Sequence, residues 1–470
     1  MCNPIGVSRG EHKECGVQGA VLNLEASQRF NHDEILMLAL TKAKVYKQHG
    51  MSRVINAVDS NGVQHDEPCI GKDLKELDVG RWITIPRKGG GVRQVRLRVW
   101  LIVNSADHLG RQSLRPFTES PSAHVFCGGC DVDQSKPEAY RPFSFLRQTS
   151  SECHPCQTER DWPKLKALLE RLREGDVGDK ELKKIFHDYG INKLQFALDP
   201  NYIPHINPIT ISPEDALHLF EDGLLRSEGA WLFFILCAMG LDLDRVNKAI
   251  KNYPDLPRDV RIPKIHPNVK KGITGKVPNS SSCLRMTGSQ MMHFAQHRYA
   301  RTLLPAPAPF FLLLLSSAPF FHTLMPFFSL FVCFVPCAAH SFQILNPLLT
   351  DAMRRHPAWL CWLKLVELHS VVIQHKLKVS DIERIDDLVL EHSQLFDRVP
   401  EYNGLKRPKH HFLTHLAMDI WRYGPPRGYW CFGFEGFNKV IKRGARSSNW
   451  KDPTMSVMRY WSCRSARKFR

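Results

Sequence analysis

Residues Val92–Asp107 read VRQVRLRVWLIVNSAD: apolar and charged residues alternate at first, and from Val99 to Val103 the run is apolar throughout. Alternation with period two predicts a strand, and its passage into an unbroken apolar run predicts one covered on both faces, as in the centre of an α/β sheet. Asp107 falls just past the end of that strand, where open α/β sheets carry functional groups. A loop Asp that caps the next turn is the alternative. Upstream, Arg81–Pro86 alternates as a second strand, and Lys88-Gly89-Gly90-Gly91 is a turn between the two. A short helix near Lys72–Leu77 precedes them. Asp33–His49 has the apolar spacing of an amphipathic helix, capped by Asn31 or Asp33 and closed by Gly50.

Downstream the pattern is mainly helical. Trp162 to Tyr253 contains several amphipathic runs, and Ser212-Pro213-Glu214-Asp215 reads as a helix start with Pro in the first turn. Trp359–Phe396 is helical again. Near the end, Phe434, Phe437, Val440 and Ile441 share one helical face, with Glu435 beside it and Lys439 and Lys442 on the same helix.

The chain has 470 residues, 64 Lys and Arg against 47 Asp and Glu, and a net charge of +17. That composition excludes a wholly disordered chain and leaves ample material for several packed cores. The excess is concentrated: residues 401–470 hold 15 Lys/Arg and 4 Asp/Glu, interleaved with Trp421, Tyr423, Tyr429, Trp430, Trp450, Tyr460 and Trp461. A dense positive field raises the local concentration of a phosphate backbone, so a nucleic acid is the expected partner. The cations in this stretch include Lys439, Lys442, Arg443, Arg446 and Lys451.

Residues 299–350 differ from the rest. They contain no Asp, Glu or Lys, and Arg301 is the only Arg. Leu303–Gln343 is dominated by Phe, Leu, Pro and Ser. Its prolines at 305, 307, 309, 319, 326 and 336 argue against a regular helix. Those residue types have pyrimidine-rich codons, so a translated polypyrimidine tract (a retained intron or spurious insertion) is the favoured reading. A membrane span over 303–338 is the alternative.

The chain contains 14 cysteines, and Met1–Arg9 has no apolar signal core. Reduced thiols or metal ligands are therefore expected rather than a disulfide framework. Cys127-Gly-Gly-Cys130 and Cys153-His-Pro-Cys156 are two CxxC pairs with 22 residues between them. A CxxC turn offers two thiolates to one ion, and zinc takes four such ligands in a tetrahedron.

Several blocks together resemble the catalytic region of CACTA-like, KDZ/Plavaka-type DDE transposases. They are Asn3-Pro4-Ile5-Gly6 with Ala20–Leu24; the strand ending at Asp107; Phe117–Cys130 (FTESPSAHVFCGGC); Asp215–Glu221 (DALHLFE); Pro408–His415 (PKHHFLTH); and Gly424–Glu435. Their order carries the resemblance, which spans most of the chain outside 299–343. It implies an α/β fold: a ribonuclease-H-like core, a mixed sheet with flanking helices, interrupted by a large, mainly helical insertion with a zinc site. The implied division is residues 1–120, the first part of the core; 121–160, a Cys/His-rich segment; 161–298, helical insertion; 299–343, the apolar stretch; 344–400, helical insertion continued; and 401–470, the basic end of the core.

The resemblance also implies DNA strand cleavage and transfer at two Mg2+ or Mn2+ ions. Asp107 is the second carboxylate and Glu435 the third, and Lys439, Lys442, Arg443, Arg446 and Lys451 are the implied contacts to the phosphate backbone. In the family the first lies just upstream of the NPLG-type block. Here that block begins at residue 3, so the expectation is a truncated, inactive copy, or a start codon placed too late. The structural zinc would be held by Cys127, Cys130, His154 and His218, with Cys153 and Cys156 as the alternative ligands. His410, His411 and His415 are given packing and hydrogen-bonding roles. The implied partner is DNA, with a homo-oligomer and a nuclear location. The alternatives are a zinc-containing nucleic-acid-binding or interaction protein without catalysis, and a membrane-anchored protein.

Overall fold

The computed structural model describes residues 3–5, 14–19, 36–87, 90–140, 159–175, 177–254, 261–267, 284, 286–295, 344–437, 443 and 453–468. Over these the chain is α/β and mostly helical. His154, Cys153, Cys156, Lys439, Lys442, Arg446, Lys451, Ala20–Leu24 and the stretch 299–343 lie outside the described residues. Among the described residues, no helix is long and apolar enough to cross a membrane.

Two compact units are present. One comprises Met1–Leu224, Val371–Asp397 and Tyr402–Arg470; the other comprises Leu225–Ser370 and Arg398–Glu401. In the second, helices Leu225–Ala238 and Pro357–Val372 are apolar over most of their surface and bury most of it, although Leu360 is 41% exposed. Trp231, Trp359 and Trp362 are buried, and Gly229 lets the Trp362 ring lie against the backbone.

The first unit carries the blocks of interest. Strands β1 (Asn3–Ile5), β2 (Glu14–Gly19) and β3 (Leu36–Lys42) form an antiparallel sheet in the order β1-β2-β3, with a register shift between Val17 and Gln18. Part of the helix expected over Asp33–His49 is thus strand. The run LMLALTK pairs with β2, so tertiary pairing overrides its helical spacing. Helix α1 (Ala43–Asn56) follows, kinked at Gly50, where φ is 70°. Met51 and Ile55 of α1 pack with Leu114, Leu198, Ile203 and Ile211 in one core cluster. Phe117, Leu165, Leu169, Ile191 and Phe196 form another.

Helix α2 (Ile70–Val79) leads into β4 (Arg81–Pro86), which pairs antiparallel with β5 (Val92–Leu97). The sequence led us to expect a central strand covered on both faces over Val92–Val103. The structure instead ends the strand at Leu97 and leaves β4 and β5 as an exposed two-stranded ribbon. Trp82 is 65% and Trp100 51% exposed. Burial resumes at Asn104, whose backbone N–H donates to the Ile211 carbonyl at 2.8 Å.

Candidate functional site: a Cys/His centre and a His/carboxylate cluster

Cys127 and Cys130 sit on one turn, and several contacts fix that turn. Arg160, buried against the Phe117 ring, donates to the Cys127 carbonyl from Nε at 3.2 Å and Nη2 at 2.7 Å. The backbone N–H of Gly129 donates to Cys127 Sγ at 3.3 Å, an interaction that favours the thiolate. At Gly128 a Cβ would lie 2.5 Å from Arg115 Nη2 and 2.8 Å from Gln112 Oε1, so only glycine allows this approach.

Across from the turn stand His411 and His415. They are four residues apart on helix α3 (Pro408–Phe412) and the 3-10 turn Leu413–His415 that follows it, so their rings face the same way. His415 Nε2 lies 3.3 Å from Cys127 Sγ, His411 Nε2 3.2 Å from Cys130 Sγ, and the two Nε2 atoms 3.1 Å apart. All four ligand atoms lie within 4.8 Å of one another. A tetrahedral zinc ion, with bonds of about 2.3 Å to sulfur and about 2.0–2.1 Å to nitrogen, needs ligand-to-ligand separations of roughly 3.3–3.8 Å. The four side chains fit a metal ion such as zinc. Phe126 meets the edge of His411, and His108 stacks on Phe412, enclosing the centre in aromatic rings.

The electrostatics suit metal ligation. Burial works against a Cys127 thiolate, yet hydrogen bonding from Cys130 and the charge of His415 hold the Cys127 pKa well below the usual thiol value. Burial likewise opposes charge on His415, but the Cys127 thiolate raises its pKa to about 8. Beyond His415, Asp419 is fully buried, which pushes its carboxyl up to about 6, and it accepts the Glu214 backbone N–H at 2.8 Å. Arg111 and Glu214 form a buried ion pair at 2.5 Å.

The sequence had assigned the histidines otherwise. His218 does not join Cys127 and Cys130; it lies among carboxylates. Its Nδ1 contacts Asp215 Oδ2 at 2.5 Å, and its Nε2 contacts Glu435 Oε1 at 3.1 Å. Burial disfavours an imidazolium here, but hydrogen bonds to Asp215, Cys431 and Glu435 prevail and raise the His218 pKa far above its ordinary 6.5. Asp215 also accepts the Cys431 backbone N–H at 2.7 Å, tying the two blocks together. The helical start read at Ser212–Asp215 is later than expected: helix begins at Ala216 and continues as a π-helix over Leu217–Leu224, with Asp215 accepting the His218 N–H at 3.2 Å.

Asp107 caps the helix His108–Leu114, its carboxylate accepting the Gly110 N–H at 2.7 Å. Among the described residues it belongs to no group of three metal-ligating side chains; Glu435 does, with His218 and Asp222. The segment leading to Asp107 still reaches the Glu435 helix. Ser105 Oγ is 3.6 Å from Cys431 Sγ, and the Cys431 carbonyl accepts the Glu435 N–H at 2.9 Å, one helical turn on. Of the expected nucleic-acid contacts only Arg443 is described, and it is exposed.

Two features were missed. His411-x-x-x-His415 has the spacing of a helical metal pair, a readable signal once Cys127 and Cys130 are in hand. The arginines of the β4–β5 ribbon are also exposed: Arg81, Arg87, Arg93, Arg96 and Arg98, in a segment from Val79 to Ala106 that has no acidic residue. No family model and no curated protein matches this chain.

Proposed function

We propose that this chain is a transposase-derived DNA-binding protein of the CACTA-like, KDZ/Plavaka type, acting in the nucleus on a ribonuclease-H-like core. Zinc at Cys127, Cys130, His411 and His415 pins the late helical block to the CxxC turn. Asp107 and Glu435 are the carboxylates that take part in Mg2+ or Mn2+ chemistry on phosphodiesters. The observation that supports this reading is the meeting of blocks far apart in sequence: Ser105 with Cys431, Asp215 with Cys431, and Cys127 with His415 across 288 residues. These are the blocks on which the resemblance rests.

The exposed arginine ribbon adds a surface for the polyanion. A two-stranded ribbon fits the major groove, where Arg and Gln side chains reach base edges and phosphates. Trp82, Thr84, Gln94 and Arg96 share one face of it, with Gln94 Nε2 donating to Thr84 Oγ1 at 2.7 Å. Nicking of supercoiled plasmid in Mg2+ or Mn2+ tests the reading. Cleavage abolished in Asp107→Ala and in Glu435→Ala supports a working site. Salt-sensitive binding without cleavage leaves a DNA-binding protein, and the absence of both binding and cleavage overturns the proposal.

A further inference from the structure

The His218 neighbourhood contains more than a transposase reading requires. His218 and Asp222 lie four residues apart on the π-helix, and Glu435 approaches from the helical segment 432–437. Their ligand atoms all lie within 4.8 Å of one another. Behind the ring, fully buried Asp215 takes Nδ1 at 2.5 Å. That contact orients the ring so that Nε2 faces Glu435, the arrangement in which a carboxylate orients a metal-bound imidazole and strengthens it as a ligand. Cys431 stands on the Asp215 side. Its backbone N–H donates to Asp215 Oδ1 at 2.7 Å, which holds that carboxylate behind the imidazole.

The backbone is shaped for this arrangement. A π-turn is a costly departure from α-helix that concentrates at functional sites. Lys409 Nζ donates to the His218 carbonyl at 2.5 Å and to the Asp222 carbonyl at 3.4 Å, supporting the turn from outside. Gly223 makes room for it: a Cβ there would lie 2.6 Å from the His218 carbonyl oxygen and 2.8 Å from Lys409 Nζ. The side chains open to solvent on the Glu435 side, where Glu435 is 40% exposed, so an ion can enter and keep water ligands.

We propose that His218 Nε2, Asp222 and Glu435 form a site for one first-row divalent cation, with Asp215 as the positioning residue behind the imidazole. One nitrogen with two carboxylates selects Mn2+, Fe2+ or Zn2+ over Mg2+, which prefers an all-oxygen shell. Asp215, Asp222 and Glu435 bring three negative charges, which Lys409 and a dication that replaces the Nε2 proton of His218 together balance. The site shares Glu435 with the proposed catalytic reading but draws its other ligands from His218 and Asp222, so ion binding is read separately from cleavage.

The test uses full-length chain holding one zinc per chain, at the Cys/His centre, titrated with Mn2+ and followed by electron paramagnetic resonance. The expected result is one bound Mn2+ per chain with a nitrogen coupling in the pulsed spectrum. Asp222→Asn, a conservative change at a half-buried position, should weaken binding roughly 100-fold or more, and Asp215→Asn about 10–100-fold. The nitrogen coupling should vanish in His218→Ala, while Asp66→Asn, at an exposed carboxylate paired with Lys72, should change nothing. Equal Mn2+ affinity in wild type and Asp222→Asn, or a nitrogen coupling that persists in His218→Ala, would overturn the site. Failure of plasmid nicking leaves it standing.

Discussion

Replacing Arg93, Arg96 and Arg98 together by Ala removes three cations from β5 and the residues just after it. None of the three is buried, so the fold should survive. If each neutralises one phosphate, the slope of log K against log salt should shrink by about 0.9 per arginine, or about 2.7 in all. At about 0.15 M salt that loss corresponds to roughly a hundredfold weaker binding, near 3 kcal/mol. Fluorescence anisotropy of a labelled duplex, measured from about 50 to 300 mM salt, reads both numbers. The ribbon reasoning is refuted if the triple variant keeps the wild-type slope. Gln94→Ala should instead change sequence preference with the slope preserved, because its amide is neutral.

Chelation of the Cys/His centre should lower the melting temperature of the wild-type chain. The ion closes a loop of 281 residues between Cys130 and His411, a constraint comparable to a long-loop cross-link of about 5 kcal/mol. His411→Ala should abolish the chelator sensitivity and His218→Ala should retain it, as calorimetry can check. Arg111→Met strands Glu214 in the interior and should cost about 3–5 kcal/mol in urea unfolding. Asp419 has its pKa raised to about 6, so the folded state holds its proton longer than the unfolded chain does. Wild type should therefore lose stability relative to Asp419→Asn as pH rises from about 4 through about 6, and the difference between their urea midpoints across that range measures it.

The helices were legible because their cause is local. Ile70–Val79, Trp162–Glu174 and Val379–Asp397 follow their apolar spacing, and Asp161 caps the second of them as an N-cap should. The strand at Leu36–Lys42 was illegible because its pattern satisfies a helix equally well and only pairing with β2 decides it. The unbroken apolar run Val99–Val103 promised a buried strand, but burial is a property of neighbours, and the ladder stops at Leu97. At the site, a CxxC turn announces two thiolates and leaves their partners open. The sequence resemblance directed them to His154 and His218, while folding brings His411 and His415 to Cys127 and Cys130. The neighbourhood of His218, built from Asp215, Asp222 and Glu435, depends on a π-turn and on a contact spanning more than 200 residues, neither of which has a local signature.

X-ray absorption at the zinc edge of the purified chain tests most directly whether the two distant blocks share one ion. A shell of two sulfurs and two imidazole nitrogens, losing one nitrogen in His415→Ala, is the predicted result. Four sulfurs, or a shell unchanged in both His411→Ala and His415→Ala, would contradict the centre and remove the main support for the functional reading.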